Sequence, residues 1–300
     1  MSKVVGTLVA VGVLALAVGG VVVGVGYATT KNEEYNTKEY EFEDSFKDFV
    51  VNSETSDIEF KKSEDGQNKV VCYEGENAES EVTFDGATVK ITQVDNRPWY
   101  KRWFFNWGWI NGKEMKVTIY LAGDTYNNLN VESRIGDIKV ASGFTFNTVD
   151  VSTNTGDIEA TDLNSTSLKV KSDTGKTIFK NVNVAGDIKV DEQTGKMVIE
   201  DSHCENMDVE STTGSVEVTK TTANGHMNIK TSTGSIKFDS ADAATLNLES
   251  STGSIKGSLL TAKRFQASSS TGSVNVPNTD GGLCVAKTST GSIKITVVGE

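Results

Sequence analysis

The sequence has few of the residues from which catalytic and metal sites are usually built. It contains three cysteines, Cys72, Cys204 and Cys284, and two histidines, His203 and His226. The cysteines are odd in number, widely spaced and without a C-x-x-C pair, which excludes a disulfide framework and a zinc site of ordinary spacing. We interpret Cys72 and Cys284 as small buried hydrophobes and both histidines as solvated turn or strand residues. With no phosphate-binding loop or triad-like pattern, the sequence predicts no enzyme, metal or cofactor.

Proline and basic residues are also scarce. The two prolines, Pro98 and Pro277, are too few for a Pro-rich stalk. The formal net charge of −12 repels phosphate backbones and argues against a nucleic-acid partner. Apolar residues make up only 37% of the 300 residues, a composition that favours a thin core over a wide globular one.

What the sequence does contain is a Thr-Gly step that returns every 19 or 20 residues. Similar words surround it, such as Thr155-Gly156-Asp157-Ile158 and Thr290-Gly291-Ser292-Ile293. A period of this size indicates a repeat architecture, whose function usually lies on an extended surface. The glycines of the series are Gly136, Gly156, Gly175, Gly195, Gly214, Gly234, Gly253, Gly272 and Gly291.

One repeat, residues 233–251, shows the pattern of two short half-buried strands. Ile236 and Phe238 share one face, 239–243 is rich in turn residues, and Leu246 and Leu248 share a face again. The glycine lies at the corner, where positive φ or a close backbone approach is needed. Such units bury their edges by stacking about 4.8 Å apart. We therefore predict an all-β fold, a parallel β-solenoid of 19–20-residue two-strand coils preceded by one transmembrane helix.

The rival architecture is a β-propeller, because two units give about 39 residues, close to a four-stranded blade. The solenoid is favoured because the shorter period repeats word for word. We divide the chain into an N-terminal transmembrane anchor (1–28), an acidic linker (29–39), irregular N-terminal β coils with a Trp-rich insertion at 96–112 (40–130), and regular solenoid repeats (131–300).

The segment Val4 to Ala28 is uncharged and would span about 37 Å as a helix, enough to cross a hydrocarbon core of about 30 Å. Gly26-Tyr27-Ala28 leaves open the alternative of a cleaved signal peptide. Lys3 precedes the segment and acidic residues follow it, so we expect a cytoplasmic N-terminus and an extracytoplasmic repeat domain. The protein is then a single-pass protein of the cell membrane.

All four tryptophans fall within 99–109, in a run that fits helical and strand spacing equally. Aromatic rings beside cations suit a membrane interface or a protein-binding hot spot. The alternative is that this run caps the core of the solenoid by packing on it. The candidate contact residues are Trp99, Tyr100, Lys101, Arg102, Trp103, Phe104, Phe105, Trp107 and Trp109.

Two weaker patterns occur at the repeat corners. Asp137, Asp157 and Asp187 follow glycines and could stack into a calcium row. The pair Thr231 and Thr233 resembles the threonine arrays of ice-binding solenoids. Neither pattern continues through the repeats, so we interpret both as polar ladders.

The run of Thr-Gly-Ser/Asp-Ile/Val-Lys/Glu units, preceded by a β-rich segment ending in a strand at Lys116 to Leu121, resembles the bacterial putative-adhesin family, whose repeat domain is also called the toastrack domain. The resemblance covers roughly residues 38 to 300. Together with one N-terminal span, it is similar to membrane-anchored members associated with cell-envelope stress genes. It implies a surface-exposed β-solenoid without known catalytic residues, and it carries no site residue across to this chain.

The leading hypothesis is a non-catalytic, membrane-anchored binding or sensing scaffold of the bacterial envelope, with a protein or envelope component as partner. The alternative is a structural protein that assembles end to end, because Ile293 to Val298 ends the sequence and could leave an open strand edge. Direct adhesion to a host or matrix is a third possibility. The ligand and the oligomeric state stay open.

Overall fold

The computed structural model describes residues 35–42, 46–75, 77–96, 115–141 and 143–298. Every regular element among these residues is a β-strand. In chain order the strands are β1 (Tyr35–Phe42), β2 (Asp48–Ser53), β3 (Asp57–Lys62), β4 (Asn68–Gly75), β5 (Ala78–Phe84), β6 (Thr88–Asp95), β7 (Lys116–Leu121), β8 (Thr125–Ile135), β9 (Ile138–Val140), β10 (Phe144–Thr155), β11 (Ile158–Thr161), β12 (Leu163–Thr174), β13 (Thr177–Lys180), β14 (Asn183–Thr194), β15 (Met197–Glu200), β16 (His203–Thr213), β17 (Val216–Thr219), β18 (Thr222–Thr233), β19 (Ile236–Thr252), β20 (Ile255–Leu259), β21 (Lys263–Thr271), β22 (Val274–Asn275), β23 (Gly282–Thr290) and β24 (Ile293–Val297).

The strands stack into two parallel sheets, which confirms the predicted β-solenoid. The long-strand sheet contains β8, β10, β12, β14, β16 and β18, each paired in parallel with the equivalent strand one coil away. The short-strand sheet is built in the same way from β9, β11, β13, β15 and β17. Each coil therefore contributes one strand to each sheet, as the sequence period predicts.

The core is a narrow column between the two sheets. On the long strands Val131, Val151, Val170, Val190 and Val209 lie in register and are all buried. Their neighbours in sequence point outward, because successive side chains of a strand alternate between the two faces. Each coil thus hides its apolar flank against the coils on either side.

The second corner of each coil, between a short strand and the next long strand, has its own conformational rule. Asp162, Asn181, Asp201, Lys220 and Ser240 have φ between 46° and 53°. This is the left-handed region, which short polar residues such as Asn and Asp tolerate best. One or two residues separate the two strands at this corner in the first four of these coils. The turn-rich break expected at 239–243 is instead a bend within the continuous strand β19.

At the N-terminal end the structure corrects the expectation that all the early strands are degenerate parallel coils. Strand β4 pairs antiparallel with β7 and β1, and β5 pairs antiparallel with β6. The chain reverses at 63–67, where the side chains of Ser63 and Asp65 accept hydrogen bonds from the backbone N–H of Gln67. The long-strand sheet begins β5–β6–β2–β8, and the short-strand sheet begins β1–β4–β7–β3–β9. The coil formed by β6 and β7 therefore lies nearer the N-terminal end of the solenoid than the coil formed by β2 and β3, although β6 and β7 come later in the sequence.

The C-terminal end is also out of sequence order. The long-strand sheet ends β19–β23–β21, and the short-strand sheet ends β20–β24–β22. The expectation that Ile293–Val298 forms the open edge is corrected for its first two residues, since β22 pairs with Ile293 and Lys294, whereas Ile295 to Val297 pair with β20 alone. A buried ion pair links the outermost long strand to β19: Lys263 Nζ on β21 lies 2.7 Å from Asp242 Oδ1 on β19, across the intervening β23. On β23, Gly282 approaches β19 closely, and a Cβ there would lie 2.1 Å from the carbonyl oxygen of Ala244.

Among the described residues no helix is long and apolar enough to cross a membrane. The predicted anchor, residues 1–28, lies outside the described residues. So do the candidate contact residues of the Trp-rich insertion. All nine corner glycines are described.

Candidate functional site at the N-terminal corner

The corner that precedes each short strand is built on the predicted glycines. At Gly156 and Gly175 φ is +145° and +153°, and a Cβ on either residue would lie about 2 Å from the carbonyl oxygen of the glycine in the neighbouring coil. The glycine N–H donates to the threonine carbonyl of the next coil, as from Gly156 to Thr174 at 2.9 Å. Glycine is required here because the backbones touch.

A polar row follows the glycines, and it engages backbone groups. The carboxylates of Asp57, Asp137 and Asp157 each accept the backbone N–H of the following coil at 2.7 to 2.8 Å. Asp187, expected in the same row, lies instead within β14 on the other sheet. No group of three or more His, Cys, Asp or Glu side chains in the described part of the chain is arranged to hold a metal ion. The row is a ladder that holds the corner, and it begins one coil earlier than the sequence indicated.

In the outermost coil this corner carries the Trp-rich insertion in place of a glycine. The described residues end at Asn96 before this insertion and resume at Met115, whose carbonyl accepts the N–H of Asp57 at 3.0 Å. The neighbouring coil, formed by β2 and β3, shows the corner without an insertion. Ser53 at the end of β2 pairs with Gln93, Asp57 at the start of β3 pairs with Lys116, and only three residues separate Ser53 from Asp57. The insertion therefore connects β6 to β7 at the position that a repeat corner takes in the other coils.

A buried polar network fixes the base of the insertion. Gln93 Oε1 accepts hydrogen bonds from Ser53 Oγ at 3.1 Å and from the N–H groups of Glu54 and Thr55 at 2.9 and 3.0 Å. Thr55 Oγ1 donates to Asp95 at 2.8 Å. Gln93 and Asp95 are each only 2% exposed. The sequence analysis missed these residues because they belong to no repeated motif. The one signal was that Gln93 and Asp95 are polar residues at inward-facing positions of a strand.

The chain also enters the described region at this same corner. Tyr35, the first residue of β1, pairs with Gly75 of β4, and Tyr73 of β4 pairs with Lys116 at the start of β7. The starts of β1 and β7 therefore lie at one end of the short-strand sheet, two strand spacings or about 10 Å apart. The segment before residue 35 and the Trp-rich insertion are attached side by side.

The described strands bury most of the core at this end, but not all of the apolar side chains on the two outermost strands. Phe46 is 2% exposed, and the rings of Phe42, Phe49, Phe84 and Tyr126 surround it with centroid distances of 5.2 to 6.5 Å. On the strands next to the outermost ones, Val70, Cys72 and Ile91 are fully buried. Tyr40 and Phe42 of β1 and Val82 and Phe84 of β5 are only partly buried, as are Phe265 and Ala267 of β21 at the opposite end.

The thiols and imidazoles have structural surroundings. Burial raises the pKa of Cys72 to about 11 and the pKa values of Cys204 and Cys284 to about 12. Such thiols carry almost no thiolate at neutral pH and are unreactive. His203 contacts the Thr222 hydroxyl at 2.8 Å, and His226 lies 3.4 Å from Asp208 on the exposed face. These residues are spread over different coils and share no site.

The outer face of the long-strand sheet carries two shallow polar depressions of about 560 and 360 Å³. The larger one spans the sheet from β14 to its edge strand β21, and its walls combine hydroxyls with charges of both signs, including Asp191, Glu210, Lys230, Glu249 and Lys287. Neither depression is lined by an aromatic ring. The described outer face is a solvated polar surface with balanced charge.

The sequence profile of the family described as Toastrack DUF4097 matches residues 46–299. Among solved structures, a putative lipid binding protein from Parabacteroides distasonis has a TM-score of 0.53 and 15% identity, covering 88% of this chain and 97% of its own. A putative adhesin from Bacteroides fragilis has a TM-score of 0.47 and 17% identity, with the same coverage. A putative cell adhesion protein from Clostridium sporogenes has a TM-score of 0.28 and 14% identity, covering 89% of this chain and all of its own. No curated protein matches significantly.

Proposed function

The chain belongs to the Toastrack DUF4097 family, and we propose that it is a non-catalytic, single-pass scaffold of the bacterial envelope whose N-terminal corner faces the membrane. In this proposal residues 4–28 cross the bilayer, the N-terminus is cytoplasmic and the solenoid is extracytoplasmic. The Trp-rich insertion contacts the lipid surface, and the long faces of the solenoid are left for a protein or envelope component.

The observation that carries the proposal is the shared corner at Tyr35 and Met115. The seven steps from Ala28 to Tyr35 can span at most about 24 Å, so the anchor would hold this corner close to the bilayer. An insertion attached about 10 Å away would then lie at the height of the lipid headgroups. Amphipathic rings and cations are the residues that prefer this depth.

Deep burial beneath the outermost strands supports the contact interpretation over the cap interpretation. Val70, Cys72 and Ile91 are fully buried, so a cap would have only the partly buried side chains of β1 and β5, such as Phe42 and Phe84, left to cover. The polar network around Gln93 and Asp95 gives the insertion a fixed base. A segment that carries four tryptophans and is not required by the core is free to bind something else.

Intrinsic fluorescence tests the contact directly, because all four tryptophans lie between Trp99 and Trp109. The full chain would be reconstituted in phosphatidylcholine vesicles, with and without lipids brominated along the acyl chain. We expect strong quenching by the brominated lipid and a blue-shifted emission. Trp103→Phe with Trp107→Phe should remove much of the quenched signal and leave the melting temperature unchanged.

The control variant is Leu260→Ser, which removes an apolar side chain that is 44% exposed at the other end of the solenoid. It should leave the quenching intact. Emission that responds to aqueous iodide but not to brominated lipid would contradict the membrane contact. A large loss of thermal stability in the double tryptophan variant would favour the cap.

The predicted topology has its own test. Protease added to intact spheroplasts should cut within the solenoid, whereas a tag placed before Lys3 should stay protected. Mass spectrometry of the mature N-terminus separates an uncleaved anchor from a signal peptide cut after Ala28. A protected solenoid would reverse the orientation.

End-to-end assembly is the second candidate, and the edge strand β21 favours it. This nine-residue strand pairs with β23 on one side only, and Phe265 and Ala267 are partly exposed at the end of the core. An unpaired edge with apolar residues invites strand addition. Sedimentation in detergent over a range of concentrations should show association that Phe265→Lys abolishes. Monodisperse monomers at all concentrations would dismiss assembly and leave the scaffold proposal intact.

A further inference from the structure

A buried column of hydroxyls runs beside the corner glycines, and one coil breaks it with a carboxyl group. The column is formed by the residue three positions before each corner glycine. Its members are Ser133, Thr153, Ser172, Glu192, Ser211, Thr231, Ser250, Ser269 and Thr288. Glu192 is 1% exposed, and neither of its oxygens has a hydrogen-bond partner within the described part of the protein. Burying a carboxylate without a partner costs free energy, so the ionisation state of Glu192 has to be considered.

The hydroxyls of the later coils show what this position does. Thr231 Oγ1 donates to the carbonyl oxygen of Gly214 at 3.2 Å, and Ser250 Oγ donates to that of Gly234 at 2.9 Å. The hydroxyl of Thr288 repeats the contact at 2.9 Å. In each case a side-chain donor satisfies the glycine carbonyl of the neighbouring coil, a group that the tight corner holds at the edge of the core.

Glu192 occupies the same place relative to its own neighbour. A Cβ built on Gly195 would lie 1.7 Å from the carbonyl oxygen of Gly175 and 2.3 Å from Glu192 Oε1, so these two oxygens face each other across the corner. If the carboxylate were ionised, its oxygen and the Gly175 carbonyl oxygen would both be acceptors, and no hydrogen bond could form between them. A protonated carboxyl would instead present an O–H donor to the carbonyl, as the hydroxyls of Thr231, Ser250 and Thr288 do in the later coils. The shorter Ser172 and Ser211 side chains next to Glu192 make no such bond, so Glu192 would supply the link where its neighbours do not.

The groups that face Glu192 offer no positive charge to hold it ionised. In register on either side lie Ser172 of β12 and Ser211 of β16, and the Thr177 hydroxyl of β13 is near the carboxyl but does not reach hydrogen-bond geometry with it. Burial raises the pKa of Glu192 to about 7, the charge of Asp157 acts in the same direction, and the Thr177 hydroxyl opposes both.

The corner lysines next to these glycines do not supply that charge either. Lys196 is exposed and pairs with Glu217 on the outer face at 2.6 Å. Lys176 follows Gly175 in the polar row, where its backbone N–H donates to Asp157. The outward neighbours of Glu192 on its own strand are Asp191 and the neutral Gln193, and neither favours a second negative charge.

We propose that Glu192 is a proton-binding site in the middle of the solenoid, where the neutral carboxyl bonds the Gly175 carbonyl of the adjacent coil and ionisation breaks this link between coils. The bound species is a proton. The solenoid is then tightest in acidic surroundings and loosens at this coil as the pH rises.

The direction of the pH dependence follows from proton linkage. The folded protein holds the proton more strongly than the unfolded chain, whose glutamate has a pKa near 4.5. The stabilisation is therefore fully present below that pH and is lost as the pH rises through about 7. We expect the folding equilibrium constant of the wild type, relative to Glu192→Gln, to fall on the order of 100-fold between pH 5 and pH 8.5.

The experiment is urea unfolding of the full chain in detergent at half-unit pH steps over this range. Glu192→Gln keeps the shape and supplies a permanent donor, and Glu192→Thr restores the residue type of the column. Neither variant should show the fall in the folding equilibrium constant between pH 5 and pH 8.5 that ionisation of Glu192 causes in the wild type. Glu210→Gln is the matched control, since Glu210 lies on the next long strand with a side chain that is 65% exposed, and it should retain the wild-type profile.

Infrared difference spectra of the folded wild type against Glu192→Gln supply a readout that does not depend on refolding. A protonated-carboxyl band at pH 6 that disappears as the pH rises through about 7 is expected. Absence of this band at pH 6, or parallel stability profiles for the wild type and both variants, would overturn the proposal. Restoration of wild-type stability at pH 8.5 by sodium, potassium or calcium, without effect on Glu192→Gln, would also overturn it, because the site would then hold a cation.

Discussion

At the scale of single residues, Gly175 shows why glycine recurs at one corner of the regular coils. Its φ of +153° is unfavourable for other residues, and a Cβ would lie 1.9 Å from the carbonyl oxygen of Gly156. Gly175→Ala must push two backbones apart and so disturb the pairing of adjacent coils. We expect it to lower the free energy of unfolding by about 3 kcal/mol or more, measured by urea denaturation.

Gly66→Ala separates the effect of conformation from that of crowding. Gly66 has φ of +76°, yet nothing lies within 4 Å of the Cβ that alanine would add. This variant should cost only about 1 kcal/mol, the strain of an L-residue in the left-handed region. Equal losses at the two glycines would show that contact between coils is not what selects glycine at the corner.

The opposite corner leads to a stabilising prediction. Lys220 has φ of 46°, while Asn181 holds the equivalent place at 51° and donates to Asp162 at 2.6 Å. Asparagine tolerates this conformation better than lysine, so Lys220→Asn should raise the free energy of unfolding by about 0.5 kcal/mol. Lys180→Asn, on an ordinary strand position, should give no gain under the same denaturation protocol. A gain for both would attribute the effect to lost charge.

At the scale of elements, the position of β21 depends on one buried ion pair. Lys263 is 4% exposed and pairs with Asp242, which is 9% exposed, and its ammonium also donates to Thr261 at 2.7 Å. Lys263→Met leaves the aspartate buried without its partner. We expect a loss of about 3 kcal/mol, because an unpaired buried charge keeps its full desolvation cost. Equilibrium unfolding at neutral pH measures it.

Two controls define this effect. The pair formed by Lys169 and Asp150 has nearly the same separation, 3.0 Å, but both side chains are exposed, so Lys169→Met should cost at most about 1 kcal/mol. The double variant Lys263→Met with Asp242→Leu should recover much of the loss, since no charge is then stranded. No recovery would mean that the lysine acts through packing alone.

The elements that the sequence predicted best are those with a repeated local pattern. Alternation at Ile236 and Phe238 was enough to place strands, because burial of one face enforces it in every coil. The left-handed corner was missed because its members differ in type, from Asp162 to Lys220. The polar base of the insertion was missed because Gln93 acts through residues about 40 positions away, and no local pattern encodes such a contact.

At the scale of the whole molecule, the period predicted the stack but not the order of coils at its ends. Strands β21 and β23 end in the same Ser-Thr-Gly-Ser word, so either could pair with β19 by local pattern. Contacts between distant residues distinguish the two strands, namely the ion pair of Lys263 with Asp242 and the close approach of Gly282 to the carbonyl of Ala244. The antiparallel strands of the N-terminal end were unpredictable for the same reason, since alternation specifies a face and not a direction.

Engineered disulfides test this order of coils in the whole molecule. Asn247 on β19 is in register with Val285 on β23, and Val285 is in register with Gln266 on β21. Adjacent strands lie about 4.8 Å apart, within the range for a disulfide, whereas two spacings of about 9.6 Å exceed it. Asn247→Cys with Val285→Cys should therefore oxidise readily, and Asn247→Cys with Gln266→Cys should not. Peptide mass spectrometry after mild oxidation reads out the bond, and the three native thiols are buried and do not compete. A disulfide between positions 247 and 266 would mean that the coils stack in chain order and that the last two strands close the solenoid.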